Sequence, residues 1–337
     1  MSPRLPAAAL AVSVVINCRN GERYLREALD SVFSQTYDDW EIIFWDNLST
    51  DGSADIARAY GERVRYFRGG PLRLYAARNR AIEKARGRYL GFLDTDDVWL
   101  PHKLEVQVPR FEQDPDVALV YSNGELFDDT GGQRLRYRRR QREGAIFRQV
   151  LANYHLLLPT VMIRRGAYDD CGGFEDKMEM AGDADLFMRI CRRYRAAYVH
   201  AVTARSREHT ASITAAHPEY HLPEADFLLK RLREADPDLD LTYAPEVTGF
   251  LLQRRKAFMI GTWRKGDASS TRRQVWAYLR VMPTMLALSI ASFLPFGTVY
   301  WLRQRSPFRR LRRHHAPDPR QSDRPGDGEP SSVSSPR

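Results

Sequence analysis

Residues 12–58, VSVVINCRNGERYLREALDSVFSQTYDDWEIIFWDNLSTDGSADIAR, change hydrophobic period from strand to helix and back. The apolar run at 12–16 has the length of a buried strand. Residues 22–34 then set Tyr24, Leu25, Ala28, Leu29, Val32 and Phe33 on one face, the period of an amphipathic helix. A second strand-length run follows at 41–45 and a short helix at 53–60. The alternation continues outward: strands at 64–67 and 89–93 enclose a helix at 75–85, further strands are expected at 117–121 and 160–163, and 184–193 reads as a helix. Such alternation specifies an α/β domain, a mostly parallel sheet flanked by helices.

Ligands of open α/β sheets lie beyond the carboxyl ends of the strands. Polar residues stand at those points here: Asn17 after the first strand, Asp46 and Asn47 after the second, and Asp94-Thr95-Asp96-Asp97 after the fourth. One polar residue at a strand end is commonly a turn former or helix cap, and Ser49, Thr50 and Asp51 fit that role. Three clusters on one edge point to a binding site.

The 337 residues are 43% hydrophobic, 28% charged and 11% aromatic, which supplies a packed core and argues against a disordered, collagen-like or multi-spanning membrane protein. Cys18, Cys171 and Cys191 are odd in number and far apart, which excludes a disulfide scaffold or zinc finger and fits a reducing compartment. The net charge of +9 is concentrated, because residues 134–142 and 303–313 each hold six arginines and no acid. With those twelve set aside the rest stands at −3, so no basic face covers the body and nucleic acid is not an expected partner. Each run is either a local functional patch or a solvated arginine-rich loop.

Residues 7–16 lack a clear cleavage region, so secretion is not expected. Residues 281–302 are 22 in number and uncharged, long enough to cross a hydrocarbon core of about 30 Å. Pro283, Pro295 and Gly297 interrupt the run and arginines flank both ends. That pattern fits a segment lying in or dipping into one leaflet better than one crossing it, the alternative being a helix buried in the protein's own core. The composition after His315 is that of a disordered tail.

The stretch 12–58 resembles the opening of inverting family 2 glycosyltransferases of the GT-A fold. The resemblance continues through AARNRAIEKARGRYLGFLDTDDVWLPHKL (76–104), TVMIRRGAYDDCGGF (160–174), GDADLFMRI (182–190) and REHTASIT (207–214). Five motifs in order are far more specific than one. The resemblance implies that Asp96 binds a divalent cation, Mg²⁺ or Mn²⁺, and that His209 is a further metal ligand or diphosphate contact, the alternative being an exposed loop histidine. It implies that Asp94 holds the donor ribose or a metal-bound water and that Asp46 contacts the nucleobase, favouring UDP or dTDP. Asn17 and Arg78 are candidate base or phosphate contacts, and Arg78 is equally readable as a structural partner of a site aspartate. Asp183 is the implied catalytic base, with a helix cap as the plainer alternative. Where the family carries a Glu-Asp pair this chain has Gly182-Asp183.

The expected organisation is a lead at 1–10, a GT-A domain at 11–215, a helical extension at 216–275, a membrane-contacting segment at 276–314 and a tail at 315–337. The expected activity moves a sugar from a nucleotide-diphosphate sugar to a glycan or lipid-linked acceptor. It would take place in the cytoplasm, peripherally on the inner face of the cell membrane. A sugar nucleotidyltransferase is disfavoured because residues 17–22 lack its glycine-rich nucleotide loop. A silent nucleotide-sugar-binding scaffold is disfavoured because Asp96, Asp183 and His209 are all present.

Overall fold

The computed structural model describes residues 10–267 together with 269, 271 and 272. Most of the lead, the expected membrane-contacting segment at 276–314 and the tail lie outside the described residues. The chain divides into two compact units, 1–262 and 263–337. The first contains all the strands described below.

Nine strands form one sheet: β1 (Val12–Cys18), β2 (Trp40–Asp46), β3 (Val64–Arg68), β4 (Tyr89–Phe92), β5 (Val98–Trp99), β6 (Val117–Phe127), β7 (Gln133–Leu135), β8 (Met162–Arg164) and β9 (Arg195–Arg207). Their order is β3-β2-β1-β4-β8-β6-β9-β5, with β7 paired to β6. The helices are α1 (Glu22–Phe33), α2 (Ser53–Arg58), α3 (Leu74–Ile82), α4 (Lys103–Gln113), α5 (Phe147–Ala152) and α6 (Arg165–Asp170), then α7 (Gly182–Arg193), α8 (Ile213–Ala216), α9 (His221–Ala235), α10 (Leu239–Thr242) and α11 (Ala244–Arg264). Within the second unit, the described residues finish α11 and begin another turn, where the Thr271 N–H donates to the Asp267 carbonyl at 3.2 Å.

The sheet is mostly parallel by paired length, as expected: β3-β2-β1-β4 run parallel, and β6 pairs β9 in the same sense. The antiparallel pairings come from β8, which lies between β4 and β6, and from the short β5 and β7. Strand 117–121 extends to Phe127, and the strand expected at 160–163 is displaced to Met162–Arg164.

β1 is buried along its whole length because both faces of the sheet are covered. Side chains alternate between the faces. Val12, Val14 and Ile16 join Leu25, Leu29 and Val32 of α1 and Leu104, Val108 and Phe111 of α4. Val15 joins Ile43, Leu90, Ala77 and Ala81 of α3, and Leu186, Phe187 and Ile190 of α7. Fully burying one such aliphatic or aromatic side chain contributes about 1.5–3 kcal/mol, so the two cores supply most of the gross stabilisation.

The site depends on β1 and β4 lying side by side, and a glycine permits their close approach. The Gly87 N–H donates to Ser13 Oγ at 2.8 Å. A Cβ at 87 would stand 2.4 Å from the Ser13 backbone nitrogen, where no flexible atom can yield. Gly87→Ala is expected to push β4 off β1 and destabilise the domain by about 1–3 kcal/mol. The measurement is a urea titration, in which the midpoint should fall with little change in slope; an unchanged midpoint would show that the contact has slack.

Candidate active site

The sheet order reverses between β1 and β4, and the carboxyl ends of strands at such a reversal are where open α/β sheets take their ligands. Asn17, near the end of β1, is nine-tenths buried, and neither its Nδ2 nor its Oδ1 has a partner among the described residues. Leaving a buried polar group unmet costs about 1–3 kcal/mol.

Asp46 behaves differently. Its side chain is fully buried, Oδ1 accepts from the Ser49 N–H at 2.7 Å and Oδ2 from the Tyr66 hydroxyl at 2.5 Å. Burial, then the hydrogen bond to Asp46 and its charge, push the Tyr66 hydroxyl up to about 12, so it stays a donor. Both oxygens of the carboxylate expected to contact the nucleobase are therefore met by protein donors. Asp51 plays the plain role anticipated for it, accepting from the Ser53 N–H at 3.1 Å at the start of α2 and from the Glu22 N–H at 3.1 Å.

Arg78 on α3 is buried, and its Nη2 donates to Asp94 Oδ1. Of the two roles left open for it, the structure has the ion pair with a site aspartate. Its guanidinium also lies 5.1 Å from the centre of the Tyr75 ring.

His209 meets Asp96 across 113 residues of sequence, with Nε2 2.8 Å from Oδ2. Each side chain is about one-quarter exposed (23% and 25%). Arg207, at the end of β9, sets this meeting. Its N–H donates to Asp97 Oδ1 at 3.0 Å, its Nε to the Asp96 carbonyl at 3.2 Å and its Nη1 to Asp129 at 2.6 Å. Burial, and then the charge of Asp94, raise the Asp96 carboxyl, against the opposing pull of His209. Asp97 is raised further, by its burial and by Asp96 and Asp94.

Among the described residues no three His, Cys, Asp or Glu side chains form a metal cage. Asp96 and His209 supply one carboxylate and one imidazole. Mg²⁺ typically takes one or two carboxylates and fills its other positions with water and substrate phosphates, so this partly exposed pair fits such an ion.

Asp183 stands in the first turn of α7, half-buried. Oδ1 accepts from the Tyr75 hydroxyl at 3.1 Å and Oδ2 from the Tyr154 hydroxyl at 2.8 Å. Both phenols are pushed well above their ordinary range, by burial first and by the Asp183 charge second, so both remain donors. Neither oxygen caps the helix, whose N-cap residue is Ala181; both are met by tyrosine hydroxyls.

The structure also explains the glycine that replaces the family's first acid. A Cβ at 182 would lie 2.5–2.7 Å from the Tyr75 ring, so the space belongs to the tyrosine. Glu224 of α9, nine-tenths buried, fastens the loop before α7 by accepting from the N–H groups of Glu179 (2.7 Å), Met180 (3.0 Å) and Ala181 (2.7 Å). Fully buried Asp185 joins α7 to α9 through Arg231 Nη1 at 2.8 Å.

Sequence reasoning missed Tyr75, Tyr154, Glu224 and Asp185. Tyr75 lies one residue before the 76–104 motif, a usable signal. Tyr154 and Glu224 carry none, since their partners lie 29 and up to 45 residues away.

Residues 13–172 match the model of glycosyl transferase family 2. An uncharacterized glycosyltransferase of Rickettsia typhi is 30% identical over 213 residues, which cover 60% of this chain and 65% of that relative, a little under two thirds of its length. The Escherichia coli UDP-Glc:alpha-D-GlcNAc-diphosphoundecaprenol beta-1,3-glucosyltransferase WfgD is 30% identical over 124 residues, 35% of this chain and 47% of that relative. Among solved structures, the mannosyltransferase PcManGT of Pyrobaculum calidifontis, in complex with GDP-Man and Mn²⁺, has a TM-score of 0.57 over 91% of this chain and 86% of that one. At 18% identity this is a likeness of fold.

The contact at position 182 yields a direct test. Gly182→Ala is expected to lower the denaturation midpoint by the equivalent of about 1–3 kcal/mol, because the Tyr75 ring cannot retreat. In a Tyr75→Ala background the same substitution should have little effect, since the obstructing ring is gone. Equal effects in both backgrounds would show that the ring is not what excludes a side chain.

Proposed function

Because residues 13–172 are a glycosyl transferase family 2 domain, we propose that the protein transfers a sugar from a nucleotide-diphosphate sugar to an acceptor hydroxyl with inversion at the anomeric carbon. One observation carries the reading. Asp94, on the expected donor side, and Asp183, the expected base, are linked by a single Asp94–Arg78–Tyr75–Asp183 chain of contacts.

The roles follow from chemistry. Asp183 takes the proton of the acceptor hydroxyl as its oxygen attacks, with Tyr75 and Tyr154 fixing the carboxylate's orientation. Asp96 and His209 would hold Mg²⁺ or Mn²⁺, whose positive charge offsets that of the departing diphosphate. Asn17 offers its amide to the donor, and Asp94, kept in place by Arg78 just past the end of β4, offers its carboxylate. UDP or dTDP is the favoured carrier, on the reading of Asp46 as the nucleobase contact.

A lipid-linked glycan in bacterial surface polysaccharide assembly is the acceptor we favour. The acceptor named for WfgD supports it, as do the apolar run at 281–302 and the arginines after it, which would bring the domain to the inner face of the membrane. Among the described residues no helix is long and apolar enough to cross a membrane.

The base assignment is tested by Asp183→Asn, which keeps the shape and, because a hydroxyl can donate or accept, can keep both tyrosine contacts. The single-turnover transfer rate at saturating donor should fall at least about a hundredfold, with donor affinity changed less than about threefold. A rate within a few-fold of wild type would remove Asp183 from this role. For the cation, calorimetric titration of the donor should show much weaker binding in EDTA than in Mn²⁺, and Asp96→Ala should bind alike in both. Equal affinity of the wild type in the two buffers would sink the metal assignment.

A further inference from the structure

The first arginine run, residues 134–142, has no part in the proposed donor chemistry. It borders a solvent-open hollow of about 580 Å³ whose lining includes the exposed Arg136, Arg138 and Arg139 with Gln149, His155 and Gln253, and no carboxylate. That volume lies within the range of about 300–1,000 Å³ usual for small-molecule sites. The neighbouring Arg134 and Arg140 are paired with Glu208 and Glu143, at 2.5 and 2.6 Å. Arg138 and Arg139 have no acidic partner among the described residues.

The loop is built into the fold. The Arg136 N–H donates to the Gly124 carbonyl of β6 at 2.7 Å. The backbone of Tyr137 is clasped on both sides by the Asn123 amide at 2.9 Å, and its hydroxyl donates to the His155 carbonyl at 2.6 Å. Burial holds the His155 imidazole below its ordinary range, so the positive charge of the cavity comes from the arginines.

The cavity and the base share one segment. His155 follows Tyr154, whose hydroxyl donates to Asp183. Gln253, a lining residue, binds both the N–H and the carbonyl of Tyr154, at 3.0 and 2.9 Å.

We propose that this cavity is a subsite for a phosphate or diphosphate group carried by the acceptor, bound by Arg138 and Arg139. It rests on the reading of Asp183 as the base toward the acceptor. Guanidinium forks match phosphate oxygens two bonds at a time, and unpaired arginines with no acid in the lining are arranged to receive such an anion.

The test is titration of the full chain in EDTA with two probes, inorganic pyrophosphate and geranyl diphosphate, comparing wild type, Arg138→Ala with Arg139→Ala, and Asp96→Ala. Both probes should bind wild type and Asp96→Ala alike, and the double variant at least about tenfold more weakly, with an unchanged melting temperature. Tighter binding of geranyl diphosphate identifies a group on an isoprenoid carrier, and equal binding identifies a site that reads the diphosphate alone. Added salt should weaken binding to wild type more than to the double variant. Binding of neither probe, or a double variant that binds like wild type, overturns the subsite. Nucleotide-sugar binding, measured separately in Mn²⁺, tests the transferase reading, so either conclusion can fail without the other.

Discussion

A buried guanidinium cannot shed its proton and must be faced by an anion. Arg78 imposes that requirement at the centre of this molecule. Burial works against its charge, and the Asp94 carboxylate, with lesser help from Tyr75 and Asp183, outweighs the penalty. Asp94 is thereby pinned at the end of β4. The Tyr75 ring lies against the same guanidinium and donates its hydroxyl to Asp183. The position of one charge therefore fixes the separation between the edge that would receive a donor and the carboxylate that would activate an acceptor.

Two longer-range fastenings complete the arrangement. On one side β9 runs thirteen residues beside β6 and ends at Arg207, which binds the aspartate-rich turn and delivers His209 to Asp96. On the other, Glu224 gathers three backbone N–H groups ahead of α7, so the loop carrying Asp183 depends on a helix beyond the last strand. The helices after the sheet thus support the site. Burial, and then the crowding of Asp94, Asp96 and Asp97, raises the last two, the electrostatic condition under which a cation or an imidazolium is welcome.

Local pattern was enough for half of this architecture. β1 to β4 and α1 to α3 declare themselves through runs and periods shorter than fifteen residues, which need no knowledge of distant partners. The rule that ligands gather at carboxyl ends then marks Asn17, Asp46, Asp94 and Asp96 as candidates. β5, β7 and β9 escaped because their residues carry no clean alternation. β9 reads RAAYVHAVTARSR, and its burial is mixed because its conformation is set by pairing with β6.

The sequence by itself determined the α/β class, the order of the first strands and the family motifs, since each is written in neighbouring residues. Tertiary structure alone decided how those residues are used. It joined Asp46 to Ser49 and Tyr66, and it paired Arg78 with Asp94. It made glycine the residue that fits at 182, and it placed Tyr154 and Glu224 around the Asp183 loop. The physical reason is the same in each case: hydrogen-bond satisfaction and steric exclusion act between atoms brought together by the whole fold, and no local period records which atoms those will be.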